Sequence, residues 1–172
     1  MTDREPIDTT NLDIYGHDAF PWSRPHDLLV AGAGPDTVFL GTTRPDGRAH
    51  AAGVGAIWHD GDFYMVIGPE TRKGRNLAGN PACTLACQVT GLDLVFEGEA
   101  VRVTDGPTLE AIAAEYREQG WPVQVEADAF TAPYSAPSAG PPPWNLYRVT
   151  YHTVFGVGTA EPHGATRWRF SR

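Results

Sequence analysis

Asp62-Phe63-Tyr64-Met65-Val66-Ile67-Gly68-Pro69-Glu70-Thr71-Arg72-Lys73-Gly74-Arg75-Asn76 is the stretch that decides how this chain is read. Phe63 to Ile67 is apolar, aromatic and β-branched, the composition of a strand. Gly68-Pro69 stops it, because proline offers no N–H to a ladder and glycine lets the backbone turn. Glu70 or Thr71 then opens a short helix that ends near Gly79, ahead of Asn80-Pro81. Positions 72 to 75 hold three of the 13 Lys and Arg residues, among them the one lysine of the chain, Lys73. An even scatter would place roughly 0.3 there. A helix N-terminus already favours an anion through its free N–H groups and its dipole. Cationic side chains oppose that dipole, so a compensating anion such as a phosphate is expected. The competing reading is a solvated basic turn paired with Glu70.

Upstream, Thr37 to Thr43 reads as a strand, Pro45-Asp46-Gly47 as a hairpin turn, and Arg48 to Trp58 as the returning strand. Asp60-Gly61 makes a second hairpin into Phe63 to Ile67. Downstream, Ala82 to Val89 and Leu94 to Thr104 read as strands, the latter alternating Phe96, Gly98 and Ala100 against Glu97 and Glu99. Leu109, Ile112, Ala113 and Tyr116 recur at helical spacing over 108–119. Strands return at Leu146 to Val157 and at Thr166-Arg167-Trp168-Arg169-Phe170. Residues 1–36 form an arm, anchored by Ile14, Tyr15 and Phe20, and a short helix capped by Ser23 that ends at Gly32-Ala33-Gly34; residues 37–172 form the single domain. Six or so antiparallel strands with few helices need closure to remove their edges. The expected class is mainly β, an antiparallel barrel with peripheral helices.

Composition narrows the function. The 172 residues carry a formal net charge of -8, against a nucleic-acid coat or an anionic membrane surface as partner. No apolar run approaches the ~18 residues of a membrane span, and the polar N-terminus has no signal-peptide pattern. Cys83 and Cys87 sit four apart in a strand, about 13 Å, too far for a disulfide. They read as buried thiols, and the chain as cytoplasmic.

Other candidates are weaker. Arg167 and Arg169 share a strand face opposite Trp168 and suit either a phosphate or planar ring, or a charged edge strand. Glu97 and Glu99 share a face that reads as solvated. His17, His26, His50, His59, His152 and His163 show no metal-ligand spacing; His59 is expected exposed at its hairpin, His50 and His152 packed. None of the four serines lies in a nucleophile elbow. Gly53 and Gly55 lie in a strand, where a backbone or flat ligand can approach closely. Residues 133–143, with five prolines, read as a lid, a dimer arm or disorder.

The hairpin, the strand Phe63 to Ile67, Thr71-Arg72-Lys73, Asn80-Pro81-Ala82, Glu97-Gly98-Glu99-Ala100-Val101-Arg102 and the ending Thr166 to Phe170 together resemble the pyridoxamine 5'-phosphate oxidase-like, FMN-binding split-barrel superfamily, over about residues 37–170. The resemblance implies a Greek-key-like split barrel acting as a homodimer, with cofactor sites at its interface. It implies that Thr71, Arg72 and Lys73, with Arg75 beside them, hold the flavin phosphate. It implies that Val66, Ile67 and Gly68 pass along the ring, that Gly53 and Val54 lie at its other edge, that Asp93 gives a polar contact, and that Arg169 reaches the cofactor, from the second subunit where the interface requires it. The second strand lacks the further basic residues of the true oxidase, and the substrate-gripping Arg and His fall by eye on Ala165 and Arg167. The chain looks closer to the flavin- and deazaflavin-dependent reductases, so FMN or coenzyme F-420 is the expected cofactor and a small planar organic molecule the substrate. No protein acid or base is implied.

Overall fold

In the computed structural model, which describes residues 4–32, 35 and 37–172, eleven strands and three helices follow in the order β1 (Asp8–Asn11), α1 (Ser23–Val30), β2 (Val38–Thr43), β3 (Ala49–Val54), β4 (Ala56–His59), β5 (Asp62–Ile67), α2 (Arg72–Gly79), β6 (Ala82–Val89), β7 (Leu92–Val103), α3 (Gly106–Glu118), β8 (Gln124–Glu126), β9 (Ala129–Thr131), β10 (Asn145–Gly158) and β11 (Ala165–Arg169). Both hairpin turns form as their residues dictate. Gly47 has φ +84°, and Asp60 and Gly61 have φ +48° and +86°, left-handed conformations that Gly and Asp tolerate.

Every pairing is antiparallel, in the order β1-β11-β10-β7-β6-β2-β3, with β4 on β5 and β5 on β10. The expected single strand over 48–58 is instead two. β3 pairs β2, the chain breaks at Gly55, and β4 pairs β5. This bent segment therefore joins the two ends of the sheet and closes a barrel. The long β10 makes the closure possible. One of its edges runs along β7 over Leu146 to Gly158; the other is shared by β5 over Asn145 to Val149 and β11 over Thr153 to Val157. This is the split barrel that the sequence resemblance implies.

Two cores hold the fold. Inside the barrel, Trp58, Phe63, Phe96 and Tyr151 meet ring against ring, with Leu40, Leu85 and Trp168 fully buried around them. Each such side chain contributes about 1.5–3 kcal/mol of hydrophobic stabilisation. Outside, Leu109, Ile112, Ala113 and Tyr116 of α3 pack on Phe130, Trp144 and Leu146. The hairpin β8–β9 in this outer core is not foreseen by the sequence. Phe20 anchors the arm as expected, whereas Ile14 and Tyr15 are both 83 % exposed. Strand β1 pairs β11, and Arg4 donates to Asp62 and to the Tyr151 carbonyl. Helix α1 is capped by Trp22 without a side-chain bond, not by Ser23. The expected end of α1 at Ala33-Gly34 lies outside the described residues.

Candidate functional site

Helix α2 begins where threonine chemistry permits. Thr71 is extended, and its Oγ1 accepts the Gly74 N–H at 3.2 Å while donating to the Gly68 carbonyl at 2.7 Å. One side chain thus caps the helix and clamps the end of β5 to it. Gly74 is needed at this contact, because a Cβ there would strike the Gly68 carbonyl oxygen. The cap and the Thr71 carbonyl take the N–H groups of Gly74 and Arg75, and a helix start of this kind favours an anion through its remaining N–H groups and its dipole.

Lys73 does not project into solvent. It is 6 % exposed, and its Nζ donates to the Ser138 carbonyl at 2.8 Å. Burial holds its pKa below the ordinary lysine value. Among the described residues no carboxylate forms an ion pair with Lys73, Arg72 or Arg75, so Glu70 does not neutralise the turn, while the Asp46 carboxylate lies in the field of Arg44. Arg72 and Arg75 are exposed. The 133–143 segment is an ordered loop of the same chain, lying across the turn so closely that a Cβ on Gly68 would collide with the Ala139 carbonyl.

Two residues of the neighbouring hairpin join this cluster. His50 on β3 is held below its ordinary pKa of 6.5, first by burial and then by the positive charges of Arg44, Lys73 and Arg72. Asn76 of α2, 2 % exposed, donates to Thr42 Oγ1 at 3.0 Å, and His50 Nδ1 lies 3.4 Å from that same oxygen. Arg44 is not singled out by the sequence, and His50, expected there only as a packed strand residue, is half-buried. The signal available was parity: residues 38, 40 and 42 alternate onto the buried face of β2, His50 stands opposite Thr42, and Arg44 follows just past the strand end.

The remaining expected site residues divide into two groups. If the β4–β5 ladder continued, Val54 would stand opposite Ile67 and Gly53 opposite Gly68; instead the strands diverge after the Ala56–Met65 pair. Gly53 and Val54 therefore border the split on one side and Val66, Ile67 and Gly68 on the other, with α2 at its end. The Ile67 side chain is fully buried in the core, leaving its main chain to face the split. Asp93 and Arg169 are not brought to this place. Asp93 lies three strands from β3 and accepts from Gln88 Nε2 at 2.7 Å. Arg169 lies on β11, whose strand neighbours are β1 and β10 and neither β3 nor β5. Both are exposed on the sheet, and an open groove of about 620 Å³ runs from Thr84, Glu97 and His152 to Thr42 and His50 of the anion cluster.

Elsewhere, His59 is not exposed as expected but half-buried against Glu115 of α3. Both cysteines are buried and free, their thiols pushed up to about 12 by burial. Among the described residues no three His, Cys, Asp or Glu side chains are placed to hold a metal, and no helix is long and apolar enough to cross a membrane. Two Arg, a buried ammonium and the helix N–H groups, with no carboxylate among them, are a donor set suited to a phosphate.

Known proteins agree with this fold. The heme binding protein from Mycobacterium smegmatis superposes with a TM-score of 0.59 at 17 % identity, covering 85 % of this chain and 58 % of that one. PhzG from Burkholderia lata 383 gives 0.54 at 19 %, covering 87 % and 83 %, and an F420 reductase gives 0.51 at 19 %, covering 75 % and 94 %. No curated protein sequence matches significantly. At these identities the likeness is one of fold. The family model described as pyridoxamine 5'-phosphate oxidase matches residues 29–158, and the chain belongs to that family.

Proposed function

We propose that this protein is a flavin- or deazaflavin-dependent oxidoreductase, binding FMN, or alternatively coenzyme F-420, at the split of the barrel. The observation that carries the reading is the buried, carboxylate-free Lys73 beside the capped N-terminus of α2. The first-turn N–H groups, Lys73, Arg72 and Arg75 take the phosphate, and Arg44 extends the positive field. Thr71 fixes the turn that points them. Val66, Ile67 and Gly68 present main chain along one side of the ring, and Gly53 leaves room for the ring on the other. The cofactor, when bound, supplies the hydride chemistry. A small planar substrate then stacks on its open face. PhzG in complex with tetrahydrophenazine-1-carboxylic acid and an F420 reductase are among the fold neighbours, which supports a ring-bearing organic ligand.

The proposal includes a homodimer. Asp93 and Arg169 sit on strands that do not adjoin the split in the sheet order, and in the proposed dimer they reach the cofactor from the second subunit. The outer sheet face suits one: Phe39 and Val157 are 52 % and 49 % exposed there, beside Ala51 and Gly53.

A second reading is a non-catalytic flavin-binding or storage protein. What favours it is that, among the described residues, the titratable groups placed at the split, His50 and Lys73, both belong to the phosphate end. Anaerobic reduction of the holoprotein followed by candidate acceptors separates the two. Reoxidation faster than that of the free cofactor supports the enzyme; reoxidation no faster supports storage.

A further inference from the structure

The proline-rich segment 133–143 is built as a stiff strap. Ala136 and Gly140 exchange two backbone hydrogen bonds of 2.9 and 2.8 Å, closing a tight loop whose Gly140 has φ +75°. The loop is pinned by Trp144, fully buried, whose Nε1 donates to the Gly140 carbonyl at 3.0 Å. At its tip the Ser138 carbonyl meets Lys73 Nζ and the Ala139 carbonyl lies on Gly68.

An ammonium has three N–H donors, and the strap takes one. A neutral carbonyl compensates a buried positive charge poorly, so the lysine is left wanting an anion. Nearby, the Asn76 Oδ1 acceptor is buried without a partner, which calls for a donor and adds no attraction for an anion. The strap thus holds Lys73 out of water and in one direction, and an anion at α2 supplies what the carbonyl cannot.

We propose that residues 133–143 are a positioning strap for Lys73. The Ser138 carbonyl aims the ammonium at the α2 N-terminus, and occupation of that site by a phosphate monoester in turn locks the strap down. The proposal rests on the anion reading of the Thr71–Lys73 turn given above. It assigns Ser138, Ala139 and Gly140 a role in selecting phosphorylated over unphosphorylated ligands, though none of them need touch the ligand.

Lys73 is the sole lysine, so an amine-directed reagent reports on one side chain. The full-length protein, Gly140→Val and Gly68→Ala are treated with the N-hydroxysuccinimide ester of acetate, alone, with inorganic phosphate and with FMN. Acetylation at Lys73 is followed by peptide mass mapping. Gly140→Val strains a left-handed position, and Gly68→Ala pushes the strap off from below. Expected are acetylation about tenfold faster in either folded variant than in the wild type, further slowing by phosphate and FMN in the wild type, and an FMN-over-riboflavin preference reduced about tenfold or more in the variants. Should both variants fail to fold, hydrogen exchange of the Ala136 and Gly140 amides of the wild type decides: slowing by phosphate and FMN supports the locked strap, and unchanged exchange with Lys73 protected by the anion overturns it. Equal rates throughout, or an unchanged FMN-over-riboflavin preference, overturn the strap while leaving flavin binding intact. A wild type that binds neither phosphate nor FMN, with Lys73 still protected, overturns the anion reading and the coupling with it.

Discussion

The Lys73 ammonium donates a 2.8 Å hydrogen bond to the carbonyl of Ser138, 65 residues further along the chain. That bond joins the basic turn before β6 to the loop before β10, and it fixes the one lysine at the edge of the split. Loss of the ammonium removes a charge-assisted bond to any bound phosphate. Lys73→Ala is therefore expected to weaken FMN binding by about 1.5–3 kcal/mol. The fold should survive, because the variant also relieves the desolvation of a buried charge. Fluorescence titration with FMN, alongside a thermal melt, checks both halves.

His50 gives the site a pH dependence. Its folded pKa lies below 6.5, because burial and the charges of Arg44, Lys73 and Arg72 disfavour the imidazolium. The unfolded chain then binds the proton more readily than the folded one, so stability rises with pH across this window and is lost as pH falls below the ordinary histidine value. A bound anion reverses the local balance, raising the His50 pKa and making phosphate affinity grow on acidification. Melting midpoints from about pH 8 to about pH 5, with and without phosphate, should show both trends in the wild type. His50→Gln should flatten them.

Thr71 contributes to stability as well as to the site. Thr71→Ala removes the cap of α2 and the bond to Gly68, at a cost of about 1 kcal/mol. Thr71→Ser should keep both bonds. Urea titration distinguishes them, and a Thr71→Ala protein as stable as the wild type would show that the cap is made by something else.

The thiols should be inert in the native state. Cys83 and Cys87, both pushed up to about 12 by burial, hold almost no thiolate near neutrality. Iodoacetamide at about pH 8 should leave the folded protein unmodified and label both residues on denaturation. Labelling of native protein would mean that β6 opens readily.

The outer sheet face should pair two chains. Light scattering is expected to give a dimer for the wild type and a monomer for Phe39→Glu or Val157→Glu. Arg169→Ala should weaken cofactor binding in the dimer. A monomeric wild type would detach Arg169 and Asp93 from the site.

Much of the barrel is legible in local chemistry. The Asp60-Gly61 turn, the alternation from Leu92 to Val103 and the threonine cap of α2 each follow from a few adjacent residues. The bend at Gly55 is not legible, because β4 leaves the line of β3 only where it finds β5. The β8–β9 hairpin turns through Ala127 at φ +54°, without a glycine to announce it. The clamp on Lys73 is made by main-chain carbonyl, so no side chain in 133–143 advertises it. Of the site, the basic turn is visible as a cluster of like charge; Arg44 and His50 join it only after the hairpin folds back over α2.

The most direct test is the identity of the ligand carried by the protein as purified. Mass spectrometry of the small molecules released on denaturing natively purified wild type should find FMN or F-420, and Lys73→Ala prepared in parallel should release much less. Release of neither, together with no change in absorbance or fluorescence when FMN or F-420 is added back, would contradict the account.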